Sequence, residues 1–186
     1  MRTEVTIGLV VLISLVSRTA RSDTIGLYSD PSGASCNVVA AFPGMTSVYV
    51  VHETDGATAS VFQARKPECW TGAVWIGDAP LYCPGVGCGD SQWGIALNYG
   101  ACMVGPIHVL TINYFVTGSS ASCCLYPLRG HPDYDPEHPM VADCNYETQS
   151  AQGLMATVNG NGTCPCGYPV PVEETTWGAL KALYTE

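Results

Sequence analysis

Ten cysteines constrain this 186-residue chain more than any other feature. They are Cys36, Cys69, Cys83, Cys88, Cys102, Cys123, Cys124, Cys144, Cys164 and Cys166, and all lie after residue 22. An even number in an exported chain reads as a disulfide framework of up to five bridges. The competing use of such residues is a thiolate metal site. The close pairs are Cys83 with Cys88, Cys123 with Cys124, and Cys164 with Cys166, and none has the C-x-x-C knuckle spacing of a zinc site. Disulfides are therefore expected. Their connectivity is not legible, because ten cysteines allow roughly 945 complete pairings.

Export is read from the first 22 residues. Residues 5–16 (VTIGLVVLISLV) form an apolar run of 12 residues between Arg2 and Arg18. That length suits the core of a secretory signal and is too short to cross a bilayer. Ala20 and Ser22 put small residues at the −3 and −1 positions, so cleavage is expected before Asp23. Arg18 and Arg21, after the run, leave an uncleaved anchor as the alternative. No later segment approaches about 18 apolar residues, so no membrane span is expected once the signal is removed. The expected location is secreted, extracellular or cell-surface, with the periplasm as alternative.

After residue 22, four cations (Arg65, Lys66, Arg129 and Lys181) face fifteen carboxylates, a net charge of −11. Such a chain repels polyanions, which makes nucleic acid and anionic lipid surfaces poor partners.

Strand-like runs recur between turn signals at 24–29, 47–52, 57–64, 72–76, 93–99, 107–116, 122–127 and 154–159. Between them sit DPSG, FPG, ETDG, GDAP, CPGVGCGD, TGSS and NGNG, which carry turn and loop chemistry. Residues 101–106 and 128–147 read as irregular. The expected fold is all-β: a single antiparallel β-sandwich, jelly-roll or Ig-like, of about eight strands and stapled by disulfides. Residues 107–116 are the expected central strand, apolar on both faces, with His108 at the core or rim. The expected organisation is a signal at 1–22, one sandwich at 23–172 and an appended tail at 173–186.

That tail reads as a short helix. Glu173 and Glu174 precede it, Thr175 or Thr176 caps it, and Lys181 sits near its end. Trp177, Leu180, Leu183 and Tyr184 share one face. So short a helix does not hold alone in water, so the face is expected to dock on its own sandwich, on a partner or on a sorting machinery.

Three constellations could carry chemistry. Gly89-Asp90-Ser91 with the later Asp135-Pro-Glu-His138 resembles the pattern of GDSL-type esterases, which implies Ser91 as nucleophile with His138 and Asp135 behind it. That family is α/β with its GDS near the start of the domain, whereas here the triplet follows a cysteine-closed loop, where it reads more simply as a turn. His131, Asp133, Asp135, Glu137 and His138 form a polar run whose alternating acids match the front of a calcium loop. The run lacks the glycine and the terminal glutamate of such a loop, and three prolines make it read as a solvated extension. Trp70, Trp75, Trp93, Tyr99 and Tyr28 could stack sugars, although core packing is the commoner use of such residues.

Several blocks together resemble a loose group of uncharacterised secreted bacterial β-sandwich proteins. They are the I-G-x-Y-x-D start at Ile25–Asp30, the A-T-[IV]-N-G strand at Ala156–Gly160 and the T-W-G-x-[IVL]-K-x-L-Y tail at Thr176–Tyr184. Strand order and length are also similar, more faintly, to cohesin-type and carbohydrate-module jelly rolls. The resemblance implies a compartment and a fold; members are poorer in cysteine, so no pairing is implied, and no site residues come with it. The expectation is a noncatalytic secreted or surface protein, structural or adhesive, with a protein or cell-surface partner for its tail and no cofactor beyond an optional calcium. The alternatives are a carbohydrate or small-ligand module and a secreted hydrolase.

Overall fold

Two long strands organise the molecule, whose computed structural model describes residues 23–83 and 87–170. Strand β3 (Gly44–Phe62) and strand β6 (Gly94–Val116) pair antiparallel from Gly44 against Val116 to Phe62 against Ile95. Around them pack β1 (Thr24–Tyr28), β4 (Ala73–Pro80), β5 (Gly89–Asp90), β8 (Met140–Asp143), β9 (Thr148–Ser150) and β10 (Gln152–Leu154). The resulting eight-stranded sheet runs β10-β1-β3-β6-β4, with β5 on β6, and β8 and β9 continuing from β3. A second sheet of three short strands, β2 (Asn37–Val38), β11 (Ala156–Val158) and β7 (Cys124–Tyr126), packs against it. The architecture is the expected all-β sandwich. Two pairings, β1 with β10 and β2 with β11, are parallel within an otherwise antiparallel molecule.

The expected strands at 47–52 and 57–64 are one strand, and so are those at 93–99 and 107–116. The turn-like residues between them are absorbed as register shifts between Thr54 and Ala57 and between Ala57 and Ala59. Extended backbone wins there because each strand's hydrogen bonds are already matched by its neighbour, and bulges accommodate the extra residues, one on β3 at the first shift and three on β6 at the second. Residues 101–106, expected to be irregular, accordingly lie inside β6, and the expected irregular stretch 128–147 contains β8. Gly56 is needed at this point: a Cβ there would sit 2.8 Å from the Cys144 sulfur of the Cys102–Cys144 bridge.

A second bulge explains why residues 107–116 are apolar on both faces. Register shifts where Val51 faces His108 and Val50 faces Leu110, so Val109 is the extra residue. Below it Ile107 turns inward, and above it Leu110, Ile112, Tyr114 and Val116 do, while Phe115 is left outside. The core that results holds Ile25, Leu27, Val48, Phe62 and Leu97 against Trp70, Tyr126, Leu128 and Val158. Trp70 lies 4.6 Å, centroid to centroid, from the Tyr114 ring and 6.2 Å from that of Tyr126. Tyr126 donates to the Ala64 carbonyl at 2.7 Å, so the 2.6 Å contact between the two tyrosine hydroxyls has Tyr114 as donor. Burial pushes the Tyr114 phenol up to about 12, so it stays a neutral donor.

All ten cysteines are paired: Cys36–Cys166, Cys69–Cys124, Cys83–Cys88, Cys102–Cys144 and Cys123–Cys164. No helix occurs among the described residues, and none there is long and apolar enough to cross a membrane. The expected signal at 1–22 and the expected tail helix with Trp177, Leu180, Leu183 and Tyr184 lie outside the described residues.

Candidate functional site

Ser91 sits buried in the turn that enters β6. Its backbone N–H and its hydroxyl both donate to Asp78, at 2.6 and 2.9 Å, and Gln92 Nε2 donates to that hydroxyl at 3.0 Å. Asp90 accepts the N–H groups of Gln92 and Trp93, each at 2.9 Å. The triplet thus shapes a turn. His138 is engaged elsewhere, 3.5 Å from Asp135, which also accepts the backbone N–H groups of Glu137 and His138. Slight burial works against ionisation of Asp135, but these N–H donors and the imidazole outweigh it and hold the carboxyl below its ordinary range.

In the polar run, the His131 ring lies against Gly94, where a Cβ would collide with it, and edge-on to Tyr134 at 5.0 Å. Its Nδ1 accepts the Asp133 N–H at 3.2 Å, while Asp133 and Glu137 point to solvent. Among the described residues, no three His, Cys, Asp or Glu side chains are placed to hold a metal ion. Of the aromatic candidates, Trp70 and Tyr99 are in the core, Tyr28 is half-buried, and Trp93 is 69 % exposed.

One buried titratable cluster joins residues far apart in the sequence and has no local signal there. His52, fully enclosed on β3, meets the Tyr99 hydroxyl through Nδ1 at 2.8 Å and has the Asp23 carboxylate 3.7 Å from Nε2. Burial pushes the imidazole down to about 4, against the pull of Asp23. The imidazole is closed to solvent.

Two surface features remain. The first is on the outer face of the large sheet, where Met45 on β3, Phe115 on β6 and Val74 on β4 lie directly opposite one another. They are 54 %, 41 % and 55 % exposed, and Ile76, the extra residue at a bulge in β4, is 56 % exposed. The row follows from alternation: Thr46, Tyr114 and Ala73 face the core, so their neighbours must face out. Beyond it the face turns polar, with Ser47 donating to Asn113 at 2.9 Å and Tyr49 edge-on to His108 at 5.3 Å.

The second feature is a groove of about 800 Å³ where the two sheets meet, lined by Arg65, Lys66, Arg129, Trp75, Trp93 and Leu125. Residue 63 leaves β3 and forms a two-way bridge with Arg129, at 2.8 Å each way, which brings that arginine beside Arg65 and Lys66. Gln92 accepts the Lys66 N–H at 3.0 Å, and its own carbonyl accepts Gln63 Nε2 at 2.8 Å. Asp78 receives Trp75 Nε1 at 3.1 Å as well as Ser91, fixing that wall. The Cys69–Cys124 bridge ties the Lys66 loop to β7 beside Leu125. Arg65 lies over the Trp93 ring, 5.6 Å from its centroid.

No protein-family model and no curated protein matches the sequence. Among solved structures, the sixth cohesin of scaffoldin B from Acetivibrio cellulolyticus, solved in complex with a dockerin, superimposes with a TM-score of 0.50. It is 12 % identical, over 75 % of this chain and 99 % of that one. The fold is similar to the cohesin jelly roll. A cohesin module from a family 33 glycoside hydrolase of Clostridium perfringens gives 0.46 and 9 % identity over 75 % of this chain and 98 % of its own. At 12 % identity the likeness to the scaffoldin cohesin is one of fold, and it agrees with the fainter of the two resemblances seen in the sequence; the motif-defined secreted group has no counterpart among these structures.

Proposed function

We propose that this chain is an extracellular, noncatalytic docking module that binds a partner protein on the outer face of its large sheet. The observation that carries the reading is the in-register apolar row of Met45, Phe115 and Val74, extended by Ile76. Contiguous exposed apolar surface on a rigid, long-paired sheet, rimmed by Ser47, Asn113 and Tyr49, is the composition of a protein interface rather than of a catalytic cleft. A flat sheet face of this kind suits the apolar face of a partner's helix or strand. The fold supports the reading, since a cohesin of similar architecture was solved holding a dockerin. Five disulfides support the extracellular setting.

The test places a photo-crosslinking amino acid at position 115 in the full chain, produced in its own host. The expected result is one discrete adduct with a second protein, absent when the probe sits at the exposed but remote Tyr146. Phe115→Glu should abolish co-purification of that protein while leaving the melting temperature within about 2 °C, because an exposed substitution seldom changes stability by more than about 0.5 kcal/mol. A smear of adducts, or equal yield from position 146, overturns the proposal.

A further inference from the structure

Arg65, Lys66 and Arg129 are all the Lys and Arg residues between 23 and 170, and all three line one groove. In a chain with so large an excess of carboxylates, each cation has acidic groups to pair with. None does so: among the described residues, no Lys or Arg forms an ion pair with a carboxylate. The Arg65 and Arg129 guanidiniums make no hydrogen bond there either; Arg65 touches only the Trp93 ring, and Arg129 is bonded only through its backbone. Lys66 rests on the carbonyls of Pro67 and Trp70 at 3.4 and 2.9 Å, which leaves its charge uncancelled. The single carboxylate on the lining, Glu68, neutralises none of them.

We infer that this groove binds an acidic peptide segment of a partner protein. The inference is independent of the sheet-face reading, because the two surfaces share no residue. Arginine forks left open match carboxylates bidentately, and charge-assisted bonds of that kind are the strong ones. The remaining wall, made by Leu125, Pro67, Pro127 and the exposed Trp93, takes apolar or proline side chains between the acids. An acidic sugar fits less well. Hydroxyls need neutral polar groups to read them, and the amide nitrogens of Gln63 and Gln92 are already bonded within the wall. The chain's net negative charge does not prevent binding: at physiological salt the Debye length is about 8 Å, so the three local cations dominate the groove.

The test pans a displayed library of random decapeptides on the full secreted chain, then measures synthetic winners by titration calorimetry. Selected peptides should be enriched in Asp and Glu interleaved with proline or aromatic residues. The Arg65→Gln, Arg129→Gln double variant should bind them at least about tenfold more weakly, as expected for losing charge-assisted contacts. Its melting temperature should not move, since neither guanidinium holds the fold, and Phe115→Glu should bind them unchanged. The inference is overturned if nothing is enriched, if the winners are not acidic, or if the double variant binds equally well. It is also overturned if oligogalacturonate, an acidic sugar offered in parallel, binds more tightly than any selected peptide.

Discussion

The two sheets are held together by different means. The large sheet rests on β3 and β6, strands of 19 and 23 residues whose ladder runs almost end to end. The small sheet has strands of two or three residues, too short to persist alone, and three of the five disulfides attach to it. Cys36 precedes β2, Cys123 precedes and Cys124 opens β7, and Cys164 and Cys166 follow β11. Where hydrogen-bond ladders are long, covalent staples are sparse, and where they are short, staples take their place. The groove lies between these two constructions and takes Arg65 and Lys66 from one side and Leu125 and Arg129 from the other.

Two bridges of nearly equal span offer the sharpest way to break this comparison. Cys102–Cys144 joins parts of the large sheet across 42 residues, and Cys123–Cys164 ties the small sheet across 41. By loop entropy alone each contributes about 4 kcal/mol, so paired cysteine-to-alanine variants should lose similar global stability in urea titration. Hydrogen exchange should separate them. Loss of Cys123–Cys164 should strip protection from β7 and β11, whereas loss of Cys102–Cys144 should leave the β3–β6 ladder protected. Equal loss of protection in both would end the distinction.

Acid should act on the large sheet first. His52 titrates at about 4 in the folded chain against the ordinary 6.5, because burial disfavours its charge. The unfolded chain therefore takes the proton first as pH falls, so this group's stability is complete above 6.5 and is lost between there and 4. The loss should amount to about 2–3 kcal/mol at pH 4. Melting curves across that window should flatten in His52→Gln; an unchanged slope would assign the loss to other groups.

A smaller effect tests the seam. Tyr126→Phe removes the hydroxyl that joins Tyr114 on the large sheet to the Ala64 carbonyl. It should cost about 1–3 kcal/mol, the penalty of leaving buried polar groups unpaired, read as a shift in the urea midpoint. A neutral result would mean that core packing and Cys69–Cys124 join the sheets without help from this hydroxyl.

Much of the fold was legible because its signals are local. Strand-like runs between turn residues marked β1, β4 and the upper half of β6, and the pattern at 107–116, apolar on both faces, named the strand that sits between β3 and β4. The strand breaks are not legible, since Glu53–Gly56 carries turn chemistry that only pairing with β6 overrides. The groove was less legible than the fold. Trp75 and Trp93 are legible as stacking candidates, but Arg129 lies far from Arg65 and Lys66 along the chain, so nothing local shows that the three cations cluster.

From composition and periodicity the sequence determined an oxidised, cysteine-stapled, all-β, acidic chain. These follow from residue counts and from which neighbours along the chain are apolar. Tertiary structure alone decided which cysteines pair, where bulges turn Ile107 inward and Phe115 outward, and how Arg129 comes to lie beside Arg65. Each of those depends on the register between strands far apart in sequence, and register is set by the whole set of pairings at once.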